Sequence, residues 1–205
     1  MRLTKVFGPT VVTAVAAMAL IGPSSASAMN TALCSSNEGG TLTCAAGNQW
    51  KSVHAVAAAP LILSSMGNLL CEKSLLEASL LGLAAPQVGH VKSLTFVNCK
   101  GAVPCTMTTK SLGTLSFLKT ASNLGSMQFH NMKIFIKCSI FFECEYEGLP
   151  SFHLVGASML ADNAGNGGIE GTKVGLTSNS PLDACPGEIF FDVFWSASAP
   201  VYVKT

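Results

Sequence analysis

Apolar and polar positions alternate with period two along much of the chain, and stretches with helical spacing are scarce. The alternation is clearest in Phe142-Glu143-Cys144-Glu145-Tyr146-Glu147, where Phe142, Cys144 and Tyr146 fall on one face and three glutamates on the other. Just upstream, Lys133-Ile134-Phe135-Ile136-Lys137-Cys138 sets Ile134, Ile136 and Cys138 against the lysines. The two segments predict an antiparallel hairpin turning near 139–141, with Cys138 and Cys144 facing inward and Lys137 meeting a glutamate across the strands. Phe135 falls on the lysine face, an apparent cost. Further segments predict strands over 52–58, 92–99, 105–109, 114–118, 127–130, 152–159, 172–177, 189–197 and 201–204. Many short strands punctuated by Gly, Asn, Ser and Pro predict an all-β fold. The expected form is an antiparallel β-sandwich, Ig-like or jelly-roll-like, with a β-barrel ranked second.

One segment carries two signals. Ser74-Leu75-Leu76-Glu77 has the form of a helix capping box, and Leu76, Leu80 and Leu83 recur at helical spacing. Gly82 and Pro86 would cut such a helix short, and the flanking segments are β, so 74–83 is expected to be a strand.

The eight cysteines are Cys34, Cys44, Cys71, Cys99, Cys105, Cys138, Cys144 and Cys185. An even count in an exported chain predicts four disulfides, whereas a zinc site would want Cys-x-x-Cys knuckles or thiolates grouped with histidine. Closeness in sequence pairs Cys34 with Cys44, Cys99 with Cys105 and Cys138 with Cys144, leaving Cys71 for Cys185. On loop-closure entropy that long ring would contribute roughly 4.8 kcal/mol against roughly 2.4 for a short one, and so should matter most.

Export is read from residues 1–28. Arg2 and Lys5 open the segment, an apolar stretch follows over 11–21, and Ala26-Ser27-Ala28 offers a small-residue cleavage site. A membrane anchor needs roughly 20 apolar residues, more than this stretch holds. The expectation is a secreted protein, extracellular or in the cell envelope, with one disulfide-bonded domain over 29–205. No membrane span is expected after cleavage.

Charge narrows the partners. Removing Arg2 and Lys5 from the 12 basic residues leaves ten lysines against 11 acidic residues, a formal charge of −1, and no arginine. Without a basic field or the planar guanidinium fork, nucleic acid is not an expected partner. An extracellular ligand or protein is.

No motif for chemistry stands out. Residues 162–173 offer Asp162, Asn166 and Gly167 at calcium-loop positions, but Ala164 and Lys173 stand where oxygen ligands are needed, so a glycine turn is expected. His54, His90, His130 and His153 lie far apart, without zinc-ligand spacing. Gly156-Ala157-Ser158-Met159-Leu160 fails the nucleophile-elbow pattern at its last position. Glu143, Glu145 and Glu147 read as a solvated strand face, and Trp50, Trp195 and Tyr202 as core or rim packing. No catalytic, cofactor-binding or metal-ligating residue is therefore assigned, and no cofactor is expected.

Leu42-Thr43-Cys44-Ala45-Ala46-Gly47-Asn48, the lone Cys71, Leu94-Thr95-Phe96-Val97-Asn98-Cys99 closing on Cys105, and the end from Trp195 to Val203 form a layout. It resembles cysteine-containing bacterial secreted β-proteins that have no assigned activity. The resemblance implies secretion and a β-fold, and carries over no functional residue. The function expected is a non-catalytic binding or surface-associated module. The alternatives are a secreted hydrolase using dispersed Asp, Glu or His residues, and an inhibitor or effector presenting a rigid loop such as 162–170.

Overall fold

A computed structural model describes residues 31–35, 44, 47–65, 67–81, 87–102, 105–121, 123–138, 142–157, 165–180 and 185–204. The expected signal over 1–28 lies outside these residues, as do the hairpin turn at 139–141, residues 162–164 and Ser158. Among the described residues there are fifteen strands and no helix. They are β1 (Ala32–Cys34), β2 (Ser52–Ala58), β3 (Leu61–Ser64), β4 (Leu69–Leu70), β5 (Lys73–Leu81), β6 (Val88–Val97), β7 (Cys105–Ser111) and β8 (Thr114–Ala121). β9 (Leu124–His130), β10 (Met132–Cys138), β11 (Phe142–Gly148), β12 (Ser151–Val155), β13 (Gly168–Ser178), β14 (Glu188–Ala197) and β15 (Tyr202–Lys204) complete the set.

Eight of these strands close into a ring, and every pairing in it is antiparallel: β2 with β5, then β6, β8, β9, β12, β13, β14 and back to β2. The architecture is a barrel with extra strands, not the sandwich ranked first from the sequence. Strand alternation is the same in both forms, since each strand presents one face inward. What decides between them is closure, and here Ser196 and Ala197 of β14 pair with Val56 and Ala55 of β2.

The extra strands grow from β13 and β14, which are too long for the ring alone. Their outer halves stay paired to each other while β14 takes β3 and then β4, and β13 takes β11, then β10 and β7. The two halves of β13 meet at a bulge between Gly171 and Val174, where Lys173 has a φ of 53°. A bulge bends its strand and sharpens the local twist, and so turns the ladder out of the barrel into this second sheet.

An eight-stranded barrel is just wide enough for side chains to fill it. Phe117, Phe129, Phe152 and Trp195 are fully buried, with Phe152 edge-on to Phe129 at 5.4 Å and to Trp195 at 5.2 Å between ring centroids. The Trp195 indole N–H donates to Ser74 Oγ at 3.1 Å, which satisfies a polar group that burial would otherwise strand. A Cβ on Gly171 would stand 2.5 Å from the Phe152 ring, so glycine is what admits that ring. At one end of the barrel β1 and β15 form a two-stranded clasp that adds Leu33 and Val203 to the core. The Val203 N–H donates to Asn123 Oδ1 at 2.9 Å and the Leu33 N–H to Gln87 Oε1 at 3.0 Å.

The segment 74–83 is strand over its described part, with Ser74, Leu76, Ala78 and Leu80 inward. The hairpin of β10 and β11 forms as its alternation predicts, pairing Ile136 with Cys144 and Ile134 with Tyr146.

Three of the four expected disulfides are overturned. Only Cys34–Cys44 forms as expected. The others are Cys71–Cys99, Cys105–Cys138 and Cys144–Cys185, so each cysteine bonds the next one along the chain. Register explains why. Cys138 stands opposite Phe142 in the hairpin, a diagonal away from Cys144, but directly opposite Cys105 on β7, with Cα atoms 4.1 Å apart. β5 and β6 pair Lys73 with Val97, and the same register carried two residues on sets Cys71 against Cys99 at a Cα separation of 3.8 Å. Cys99 and Cys105 meet through backbone instead, the Cys105 N–H donating to the Cys99 carbonyl.

Candidate functional site

Where the second sheet curls beside the barrel, its concave face leaves a half-open cavity of about 250 Å³. Ile62 and Ser64 of β3 form one wall with Leu69 and Ile189. Ile136 and Cys138 of β10 and Cys144 and Tyr146 of β11 form the opposite wall. Each of these pairs is two residues apart on one strand, the spacing that puts side chains on the same face. The inward face read from the hairpin is thus the face of a cavity wall, and two disulfides, Cys105–Cys138 and Cys144–Cys185, are built into that wall or its rim.

The lining is apolar apart from Ser64, Asn68 and Tyr146 among the described residues, and none of it is Lys, Arg, His, Asp or Glu. Ser64 is occupied, its hydroxyl donating to the Gly67 carbonyl at 2.6 Å. Tyr146 is 1% exposed, and burial pushes its pKa up to about 12, so the phenol is neutral over the physiological range. Its hydroxyl has no hydrogen-bond partner among the described residues, yet no sealed polar side-chain atom lacks one. The hydroxyl is therefore not sealed in the core, and Tyr146 is one of the residues that line the cavity.

A second hollow of about 610 Å³ lies in the seam between β6 and β7, walled by Phe96 and Met107 but also by Asn98, Lys100, Thr106 and Thr108. The strands meet at its ends, through the Cys105-to-Cys99 backbone bond and through Thr109 Oγ1, which donates to the Leu94 carbonyl at 2.7 Å. Its mixed walls make it a poorer enclosure for an apolar group.

The outer face of the β7–β10–β11 sheet is charged. Lys133 Nζ lies 2.8 Å from Glu147 and 3.4 Å from Glu145, which also meets Lys110 at 3.2 Å. The Glu147 and Glu145 carboxylates raise the Lys133 pKa, and hydrogen bonding from Lys110 and then Lys133 lowers that of Glu145. Lys137 stands opposite Glu143 across the hairpin as expected, while the ion pairs among the described residues of this face are those of Lys133 and Lys110. Phe135 is also accounted for, because Lys110 Nζ sits 4.0 Å from its ring centroid, a cation–π contact.

The other candidates stay apart. His54 reaches Glu77 at 3.7 Å on an exposed strand face, His130 shares a 2.8 Å hydrogen bond with Ser116, and His90 and His153 are exposed on β6 and β12. No group of three His, Cys, Asp or Glu residues that could hold a metal ion occurs among the described residues. Trp195 is core, Trp50 donates from its indole N–H to the Pro200 carbonyl at 3.1 Å, and Tyr202 packs on the small cluster around Cys34 and Cys44. Gly165 and Asn166 form a turn, and Gly168–Glu170 already belong to β13.

No family model, curated protein or solved structure matches the chain. Four intramolecular disulfides are typical of extracellular proteins.

Proposed function

We propose that the protein is a secreted, non-catalytic binding module whose ligand enters the cavity between β3 and the β10–β11 hairpin. The observation that carries this reading is a preformed concave space with apolar walls and a single titratable lining residue, Tyr146, among the described residues. Ligand sites are concave and mostly apolar, with a few placed polar groups, and an apolar cavity of ~150 Å³ already admits benzene. A hydrolase of the kind weighed above would need at least two acid–base groups converging in a cleft, and this wall supplies none poised near neutrality. Export is supported by the residue pattern over 1–28 and by the disulfides.

Ethylbenzene is a suitable first probe. Titrated into the purified, oxidised protein and followed by methyl NMR, it is expected to shift Ile62, Ile136 and Ile189 saturably, at one molecule per chain. Filling the cavity by Ile62→Trp or Ile136→Phe should abolish those shifts while the disulfide map is unchanged. Reproducible turnover of simple ester or polysaccharide substrates would sink the reading, as would ethylbenzene shifts scattered over the surface.

A further inference from the structure

We infer that the cavity selects a neutral ligand with an apolar body and one hydrogen-bond acceptor, such as a ketone, ester or ether oxygen, which the Tyr146 hydroxyl binds as donor. The inference rests on the binding reading above and specifies its ligand class. It stands on three observations. Tyr146 is almost wholly buried on β11 and lines the cavity, and its hydroxyl makes no hydrogen bond to a described residue and is not sealed in the core. A hydroxyl that is neither bonded within the described protein nor sealed in its core keeps its donor available to whatever enters the cavity. A ligand acceptor lying beside Tyr146 would take up that donor.

The second observation is the character of the rest of the wall. Ser64 is engaged with Gly67, and beside Tyr146 the remaining described lining is aliphatic, disulfide sulfur, proline or glycine, apart from Asn68. A polar group or two set in such a surface orient a ligand that is otherwise held by apolar contact. The third is charge. No described cavity residue is cationic, so a carboxylate would be desolvated with no partner, and no described residue is anionic, so an ammonium would fare no better. Neither charged class finds a partner in the described walls, which favour a neutral acceptor.

The hydroxyl is the donor in this pairing. A phenol hydrogen bonds readily to a carbonyl or ether oxygen, and the neutral phenol keeps its proton across the physiological range. A ketone entering the cavity leaves behind its hydrogen bonds to water, and a donor inside returns one of them.

Acetophenone and ethylbenzene have nearly the same shape and differ in the oxygen, so affinities for both in wild-type protein and in Tyr146→Phe test the inference. Tyr146→Phe should weaken acetophenone about fivefold and leave ethylbenzene within about twofold, consistent with the usual net worth of one neutral hydrogen bond. Benzoate should fail to bind either protein at concentrations that saturate with acetophenone. Equal effects of Tyr146→Phe on both neutral probes, or none on either, would overturn the donor role while leaving the cavity reading standing. Benzoate binding as tightly as acetophenone would overturn the neutral-ligand class. If neither neutral probe binds wild-type protein, the binding reading itself fails, and with it this one. Tyr146→Phe removes a single oxygen from the wall, and near-UV circular dichroism with the disulfide map checks that the fold is kept.

Discussion

At the scale of single residues, the chain places few polar groups in its interior and gives nearly every one a defined partner. Ser74 is the clearest case. Its pattern in the sequence is that of a helix cap, yet it faces inward from β5 and accepts the Trp195 indole N–H. Ser74→Ala would remove that acceptor and leave the indole N–H sealed in the core, so a loss of about 1–3 kcal/mol is expected. Urea denaturation measures it, and a loss below about 0.5 kcal/mol would mean the indole finds another acceptor. Tyr146 is the counterpart, a residue 1% exposed whose hydroxyl makes no hydrogen bond to a described residue and is not sealed in the core. The sequence did place Tyr146 on an inward strand face. It could not show whether that face meets core or cavity, because both present the same alternation.

At the scale of elements, local patterns were legible and the pairing between distant elements was not. The alternation over 52–58 marks β2 to its true bounds, and the β10–β11 hairpin has the inward face that its alternation indicates. β3 is not legible in the sequence because Leu61-Ile62-Leu63 is an uninterrupted apolar run with no alternation to reveal a strand. Half of the cavity is hidden with it. The β13 bulge was also invisible, although it steers the strand between two sheets, and Lys173 there adopts a left-handed conformation that costs an ordinary residue about 1 kcal/mol. Lys173→Gly should therefore leave stability unchanged or raise it by up to about 1 kcal/mol, whereas Lys173→Val should lower it. Thermal melts of the two variants decide this, and a glycine variant less stable than the valine one would argue against the bulge.

At the scale of the whole molecule, closure of the ring and the order of the disulfides depend on which strands meet, and strand alternation is silent on that. The expected dominance of one long bridge disappears with the corrected pairing. Cys71–Cys99, Cys105–Cys138 and Cys144–Cys185 span 28, 33 and 41 residues, which on loop-closure entropy makes them worth about 3.5–4 kcal/mol each. Cys34–Cys44 spans 10 and is worth about 2.7 kcal/mol. Replacing each pair by alanine should lower the melting temperature by similar amounts for the three longer bridges and least for Cys34–Cys44. Non-reducing peptide maps that recover a Cys71–Cys185 peptide would refute the pairing outright. The nearest-neighbour order also has a bearing on biogenesis. A polypeptide that emerges N-terminus first, from a ribosome or through a membrane pore, exposes its thiols one at a time. When every cysteine bonds the next to appear, the native partner is the first free thiol to arrive after it. Oxidation can then keep pace with emergence, each covalent link can be made before its competitors exist, and the need for a disulfide-shuffling catalyst is correspondingly small.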